Sequence, residues 1–147
     1  AIYKLGAIAV PLCDAQGMVW SIQTVNEQGT KLFPKYGRKK GLFHVLGSLE
    51  GAQLVGFAEG YATAATAFEL GSGYPVVCCF DSGNMQAVAA EMHKAGMLVD
   101  KTPIWLADND EPNPKTGKRA GQDAALKCQE AFGGVILIPS FPKKDAA

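Results

Sequence analysis

QLVGFAEGYATAATAFELGSGYPVVCCFDSGN, residues 53–84, decides the fold, because two short apolar runs flank one Ala-rich helical stretch. Gln53 to Ala58 reads as a buried strand, Tyr61 to Leu70 as a helix stopped near Gly71, and Pro75 to Phe80 as a second buried strand. Strands joined through a helix pair in parallel, since the chain must cross back over the sheet between them. A parallel sheet is covered on both faces, which explains why these runs are continuously apolar and do not alternate.

Toward the C-terminus the alternation continues. Met85, Val88, Ala89 and Met92 fall at i, i+3, i+4 and i+7, an apolar stripe on a helix ending near Gly96. Ile104 to Ala107 is a third strand; Ala120, Ala124, Cys128, Ala131 and Phe132 line the last helix; Val135 to Ile138 is a fourth strand. Toward the N-terminus the pattern is different. Residues 5–12 and 18–25 read as a hairpin across Asp14-Ala-Gln-Gly17, a second turn follows at Asn26-Glu-Gln-Gly29, and Lys31 to Phe33 and Leu42 to Leu46 are again extended. The chain thus divides into a small antiparallel β unit, residues 1–50, and an α/β domain, residues 51–147, with a four-stranded, mostly parallel sheet flanked by helices.

The 147 residues suffice for one domain with its own core. An apolar share of 48% and a charged share of 19% are those of a soluble globular protein. The opening AIYKLGAIAVPL is too short to span a membrane and runs into turn residues where an export signal would have its cleavage site, so a bacterial cytoplasmic protein without a membrane partner is expected. The chain opens on Ala1, not Met, which reads as a domain excised from something longer.

Fourteen basic residues balance fourteen acidic ones, so electrostatic hints of a partner are local. Lys35, Arg38, Lys39 and Lys40 form one basic cluster and Lys115, Lys118 and Arg119 another; composition alone makes both solvated loops. The four cysteines include no C-x-x-C pair and no zinc-type spacing with histidine, so no zinc is expected in this fragment. Cys78, Cys79 and Cys128 lie among apolar residues, where a free thiol behaves as a small hydrophobe. His44 and His93 receive no catalytic role.

In an open parallel sheet ligands bind outside the carboxyl ends of the strands. Here the first strand ends in Glu59-Gly60, the second in Asp81-Ser-Gly-Asn84 and the third in Asp108-Asn-Asp110. Carboxylates brought together repel one another, and a bound cation relieves that repulsion. With no His or Cys at these positions, Mg²⁺ is the expected ion and Mn²⁺ its substitute. Each acid also has a plainer explanation: Asp81 as a helix cap, Glu59 as a first-turn acid favoured by the helix dipole, Asp108 and Asp110 as a solvated loop. A calcium loop over DNDEPNPKTG fails, because Pro112 stands where an oxygen ligand is needed and Asn113 where the turn glycine belongs. No phosphate-loop motif is present, and Gly71-Ser-Gly73 reads as a helix stop.

VGFAEGYATA and IWLADND together resemble the Toprim domain of primases, topoisomerases and some nucleases, whose marks are a strand-terminal Glu and a later D-x-D. PLCDAQGMVWSIQ followed by KLFPKYGRKKGLFHVLG is similar to the basic subdomain that precedes Toprim in bacterial-type primases, and EGYATA, FDSGN and ADND most resemble primase-like proteins of plasmids and phages. The resemblance implies template-directed primer synthesis. Glu59, Asp108 and Asp110 would be catalytic and hold Mg²⁺, with Asp81 as a fourth ligand. Lys35, Arg38, Lys39 and Lys40, with Lys115, Lys118 and Arg119, would contact nucleotide or template phosphates. Implied partners are single-stranded DNA, ribonucleoside triphosphates, and further domains or a helicase. The rival readings are a Toprim nuclease using the same carboxylates and a non-catalytic single-strand binding module stacking bases on Tyr36, Phe43 or Trp20.

Overall fold

The computed structural model describes residues 6–71, 73–109 and 111–138. β1 (Ala7–Cys13) and β2 (Val19–Asn26) form an antiparallel hairpin, and β3 (Lys31–Leu32) joins β2 opposite Thr24 and Val25. Asp14 builds the hairpin turn. Its Oδ1 accepts from the backbone N–H groups of Gln16 and Met18 at 2.9 and 3.0 Å, and its Oδ2 from the Trp20 indole at 2.9 Å. Gly17, at φ +84°, takes the left-handed conformation that the turn requires.

β4 (His44–Leu46), β5 (Leu54–Ala58), α1 (Tyr61–Leu70), β6 (Val76–Cys78), α2 (Ser82–Lys94), β7 (Thr102–Leu106), α3 (Ala120–Phe132) and β8 (Val135–Leu137) follow in the chain. The second sheet has the order β4-β6-β5-β7-β8, with β6, β5, β7 and β8 parallel and β4 antiparallel to β6. The four parallel strands are those expected from the apolar runs. β4, expected in the N-terminal unit, instead extends this larger sheet. The apolar residues around it explain the choice: Leu42 and Phe43 are buried in the two cores, and Val45 and Leu46 pack against them. Reciprocal 2.9 Å hydrogen bonds between Cys13 and Phe43 hook the two sheets together.

The sheet is doubly wound. β5 leads through α1 to β6 on one side, and the chain then returns through α2 to β7 on the other, so the strand order reverses at β5 and β7. On one face Ala64 of α1 packs with Ala58, Val76, Cys78, Ile104 and Leu106, and Val10 and Leu12 of β1 belong to the same cluster. On the other face Met85, Val88 and Met92 of α2 and Ala125 and Cys128 of α3 cover Val55, Phe57, Val77, Cys79 and Trp105. Successive strand side chains point to opposite faces, which is why the neighbours Cys78 and Cys79 enter different cores.

Trp105 anchors the second core. Its ring lies 4.6 Å from that of Phe57, and its indole N–H donates to the Gly133 carbonyl at 2.7 Å, so the polar tip of a fully buried side chain is satisfied. Burying such a side chain is worth roughly 1.5–3 kcal/mol. Next to it, a Cβ on Gly134 would collide with the Pro103 carbonyl, and only glycine lets the chain enter β8 so close to β7.

Candidate active site at the carboxyl edge of the sheet

Register places the acids. Ala58 of β5 pairs with Cys78 of β6 on one side and with Leu106 of β7 on the other. Glu59 therefore follows the end of the first strand directly, and Asp108 follows the end of the adjacent parallel strand after the buried Ala107. These two partly buried carboxylates leave the sheet where the strand order reverses, the place at which open α/β sheets take ligands. Thr63, in the first turn of α1, donates its hydroxyl to Asp108 Oδ1 at 3.3 Å and steadies it from the side. Asp110 lies outside the described residues. Among the described residues no three His, Cys, Asp or Glu side chains come together as a metal site.

Asp81 is bound up with α2. Its Oδ1 accepts from the Asn84 backbone N–H at 2.7 Å, which caps the helix, and its Oδ2 forms an ion pair with Lys39. Phe80, just before it, is almost fully buried at φ +73°, a conformation costly for a bulky residue, on the order of 1–3 kcal/mol. That turn carries the chain abruptly from β6 into the cap, and the Phe80 ring is met edge-on by Phe33 at 6.1 Å.

Asn84 completes the junction. Its Oδ1 accepts from the Gly41 N–H at 2.8 Å, and its Nδ2 donates to the carbonyls of Cys79, Leu42 and Lys39 at 2.9, 3.1 and 3.2 Å. One buried carboxamide thus ties residues 39–42 to the end of β6. Lys39 and Lys40 of the basic cluster are therefore held at the carboxyl edge. Lys39 reaches Asp81 directly, while Lys35 and Arg38 lie over the rings of Tyr36 and Trp20, 5.3 and 4.9 Å from their centroids. Lys40 is exposed.

The second basic cluster is exposed. Asn113 shapes its loop by accepting from the backbone N–H groups of Lys115 and Thr116. Lys118 reaches the edge as well, lining with Lys127, Ser82 and Gly83 a cleft of about 300 Å³ at the start of α2. Arg119 occupies the N-cap position of α3 without a side-chain cap bond.

Three residues of this region escape a linear reading: Thr63, Asn84 and Lys31. The Lys31 ammonium lies 3.4 Å from where a Gly60 Cβ would stand, bringing a cation beside the residue after Glu59. Only the pairing of β3 with β2 carries it there, and nothing in the sequence around it sets it apart from other lysines. His44 is half-buried beside Tyr61, 6.4 Å between ring centroids, and burial lowers its pKa below the usual 6.5. Burial likewise pushes the Cys78 thiol up to about 12 and that of Cys128 to about 11, which leaves both unreactive near neutral pH.

A family model described as the Toprim domain matches residues 54–147. The chain belongs to the Toprim family. Two curated Escherichia coli proteins named DNA primase TraC are 40% and 38% identical to this Toprim chain over 136 residues. The alignments cover 90% of the chain but 12% and 9% of those proteins, so it spans about a tenth of their length. Among solved structures, the Toprim chain is similar to the primase fragment of the bacteriophage T7 primase-helicase protein, with a TM-score of 0.64 and 20% identity over 95% of this chain and 56% of that one. It is also similar to a chain in the bacteriophage T7 lagging-strand DNA polymerase complex with primase domains of two gp4 subunits bound to an RNA/DNA hybrid and dTTP. There the TM-score is 0.60 and the identity 18%, over 95% of this chain and 68% of that one. At such identities the likeness concerns the fold, and its coverage takes in the N-terminal sheet along with the Toprim sheet.

Proposed function

We propose that this chain is the nucleotidyl-transfer core of a DNA primase, making RNA primers on single-stranded DNA from ribonucleoside triphosphates in plasmid or phage replication or transfer. The observation that carries the proposal is the placement of Glu59 and Asp108 at the ends of adjacent parallel strands where the sheet order reverses. Family membership and the two relatives named DNA primase support it.

The donor chemistry fits a hard divalent cation, since the residues that follow the parallel strands, Glu59 and Asp108, offer carboxylate oxygens. Glu59, Asp108 and Asp110 would hold Mg²⁺ or Mn²⁺. Asp81 is the proposed fourth carboxylate, though both its oxygens are engaged in this structure. The ion, when bound, would lower the pKa of an attacking hydroxyl and offset charge on the transferred phosphoryl group.

The protein's own groups do the rest of the work in this proposal. Thr63 fixes the orientation of Asp108, and Lys31 offers positive charge beside Gly60 to a nucleotide phosphate. Lys35, Arg38, Lys39 and Lys40 from one side, and Lys115, Lys118 and Arg119 from the other, neutralise nucleotide and template phosphates. Further domains of a longer protein, or a helicase, would complete template recognition.

Incubation with single-stranded DNA, labelled ribonucleotides and Mg²⁺ or Mn²⁺ tests the reading against an Asp108→Asn control. Short template-dependent ribonucleotide products that disappear in the variant are the expected result. Fragmented template in place of new strands would show a nuclease, and products undiminished in the variant would remove Asp108 from the chemistry.

A further inference from the structure

Cys79, just past β6, donates its N–H to the Ala58 carbonyl at 2.9 Å, so the turn that follows sets Asp81 off the strand next to the one that ends in Glu59. The two oxygens of Asp81 are held differently. Oδ1 accepts the Asn84 N–H at 2.7 Å and is fixed by the helix it caps. Oδ2 pairs with the Lys39 ammonium, and the two side chains are 39% and 40% exposed, so ions from solution can reach the pair.

Lys39 is anchored at one end and loose at the other. Its backbone carbonyl accepts from Asn84 Nδ2 at 3.2 Å. Its ammonium lies 5.2 Å from the centroid of the Phe33 ring, whose face still favours the cation once it leaves Asp81. A half-exposed ion pair holds weakly, and stronger charge on either side displaces it. A divalent cation offers Asp81 twice the charge of an ammonium, and a triphosphate offers Lys39 several anionic oxygens where Asp81 offers one.

We infer that Lys39 is a tethered cation standing in for a divalent ion on Asp81, and that a nucleotide phosphate, by drawing Lys39 away, opens Asp81 as a metal ligand. The inference rests on the proposed function and deepens it: the ion at Glu59 and Asp108 needs no nucleotide, whereas metal on Asp81 and phosphate on Lys39 favour each other. Such coupling is reciprocal, so it can be read from either ligand alone.

Two titrations of the whole chain test it. With Mn²⁺ and no nucleotide, Lys39→Met should bind one ion more than the wild type, and Lys39→Met/Asp81→Asn should lose it again. Lys39→Arg, which keeps the ion pair, should match the wild type. With EDTA and no metal, fluorescent ATP should bind Asp81→Asn about 2- to 5-fold more tightly than the wild type, the range that release of a half-exposed ion pair allows. Asn still caps α2 in that variant. The same Asp81→Asn change made on top of Lys39→Met should bring no gain. Should Lys39→Met fail to fold, Lys39→Gln takes its place. Equal Mn²⁺ uptake by the wild type and the folded Lys39 variant would overturn the exchange and leave the primer-synthesis reading intact. An ATP gain of the same size with and without Lys39 would show a general charge effect and overturn it equally. No Mn²⁺ bound by any form would overturn both readings.

Discussion

Burial sets the behaviour of His44, the half-buried imidazole of β4 beside Tyr61. Its folded pKa lies below its value in the unfolded chain, so the unfolded state binds more protons in between. The stability this residue contributes is complete above about pH 6.5 and is lost as pH falls through the lower folded value. Urea titrations from pH 7.5 to 5 should show declining stability, with a shallower decline in His44→Gln; parallel curves would mean that other groups carry the acid sensitivity. At this scale the sequence was informative where chemistry follows strand ends. Glu59 and Asp108 could be singled out because each follows an apolar run. Thr63, Asn84 and Lys31 could not, since each matters through a partner distant in sequence or a strand pairing that no local pattern announces.

Asn84 shows how one residue organises several elements. It stands in the first turn of α2, where Asp81 caps the helix, and its side chain holds residues 39–42 by three hydrogen bonds and the Cys79 carbonyl by a fourth. Asn84→Ala would leave buried carbonyls and an N–H group unpaired, and a loss of about 3 kcal/mol is expected in urea unfolding. Faster amide exchange at Gly41 and Leu42 should accompany it. A loss below 1 kcal/mol with unchanged exchange at those amides would show that the contacts around Leu42 and Phe43 hold the segment without Asn84.

Elements themselves were largely legible. Helix α1 spans Tyr61–Leu70 as the Ala-rich stretch between Gly60 and Gly71 indicates, and β5 to β8 fall within or beside the apolar runs. A strand of three residues carries no periodicity to say which neighbour it joins, which is why the sequence pattern groups β4 with the N-terminal unit and the structure does not. Burial of Leu42 and Phe43 decides that, and burial is a property of the assembled sheet.

For the whole molecule, the proposed division at residues 50 and 51 marks a change in sequence pattern more than a gap in the structure. Val10, Leu12 and Leu42 share a core with Ala58, Ala64 and Leu106, and β4 is hydrogen-bonded to β6. The two sheets are thereby fixed relative to one another, with Lys31 of the first beside Gly60 of the second. The doubly wound order was foreseeable in part: alternation of strands and helices implies a parallel sheet, but the reversal at β5 and β7 that brings Glu59 and Asp108 to adjacent strand ends is a fact of topology.

Calorimetric titration of the protein with Mn²⁺ tests whether this edge holds a divalent cation, without dependence on template, nucleotide or further domains. Saturable binding that is weakened at least 10-fold in both Glu59→Gln and Asp108→Asn, with folding retained by circular dichroism, is the predicted result. Mn²⁺ binding of equal strength in the wild type and both folded variants would place the cation elsewhere than at Glu59 and Asp108.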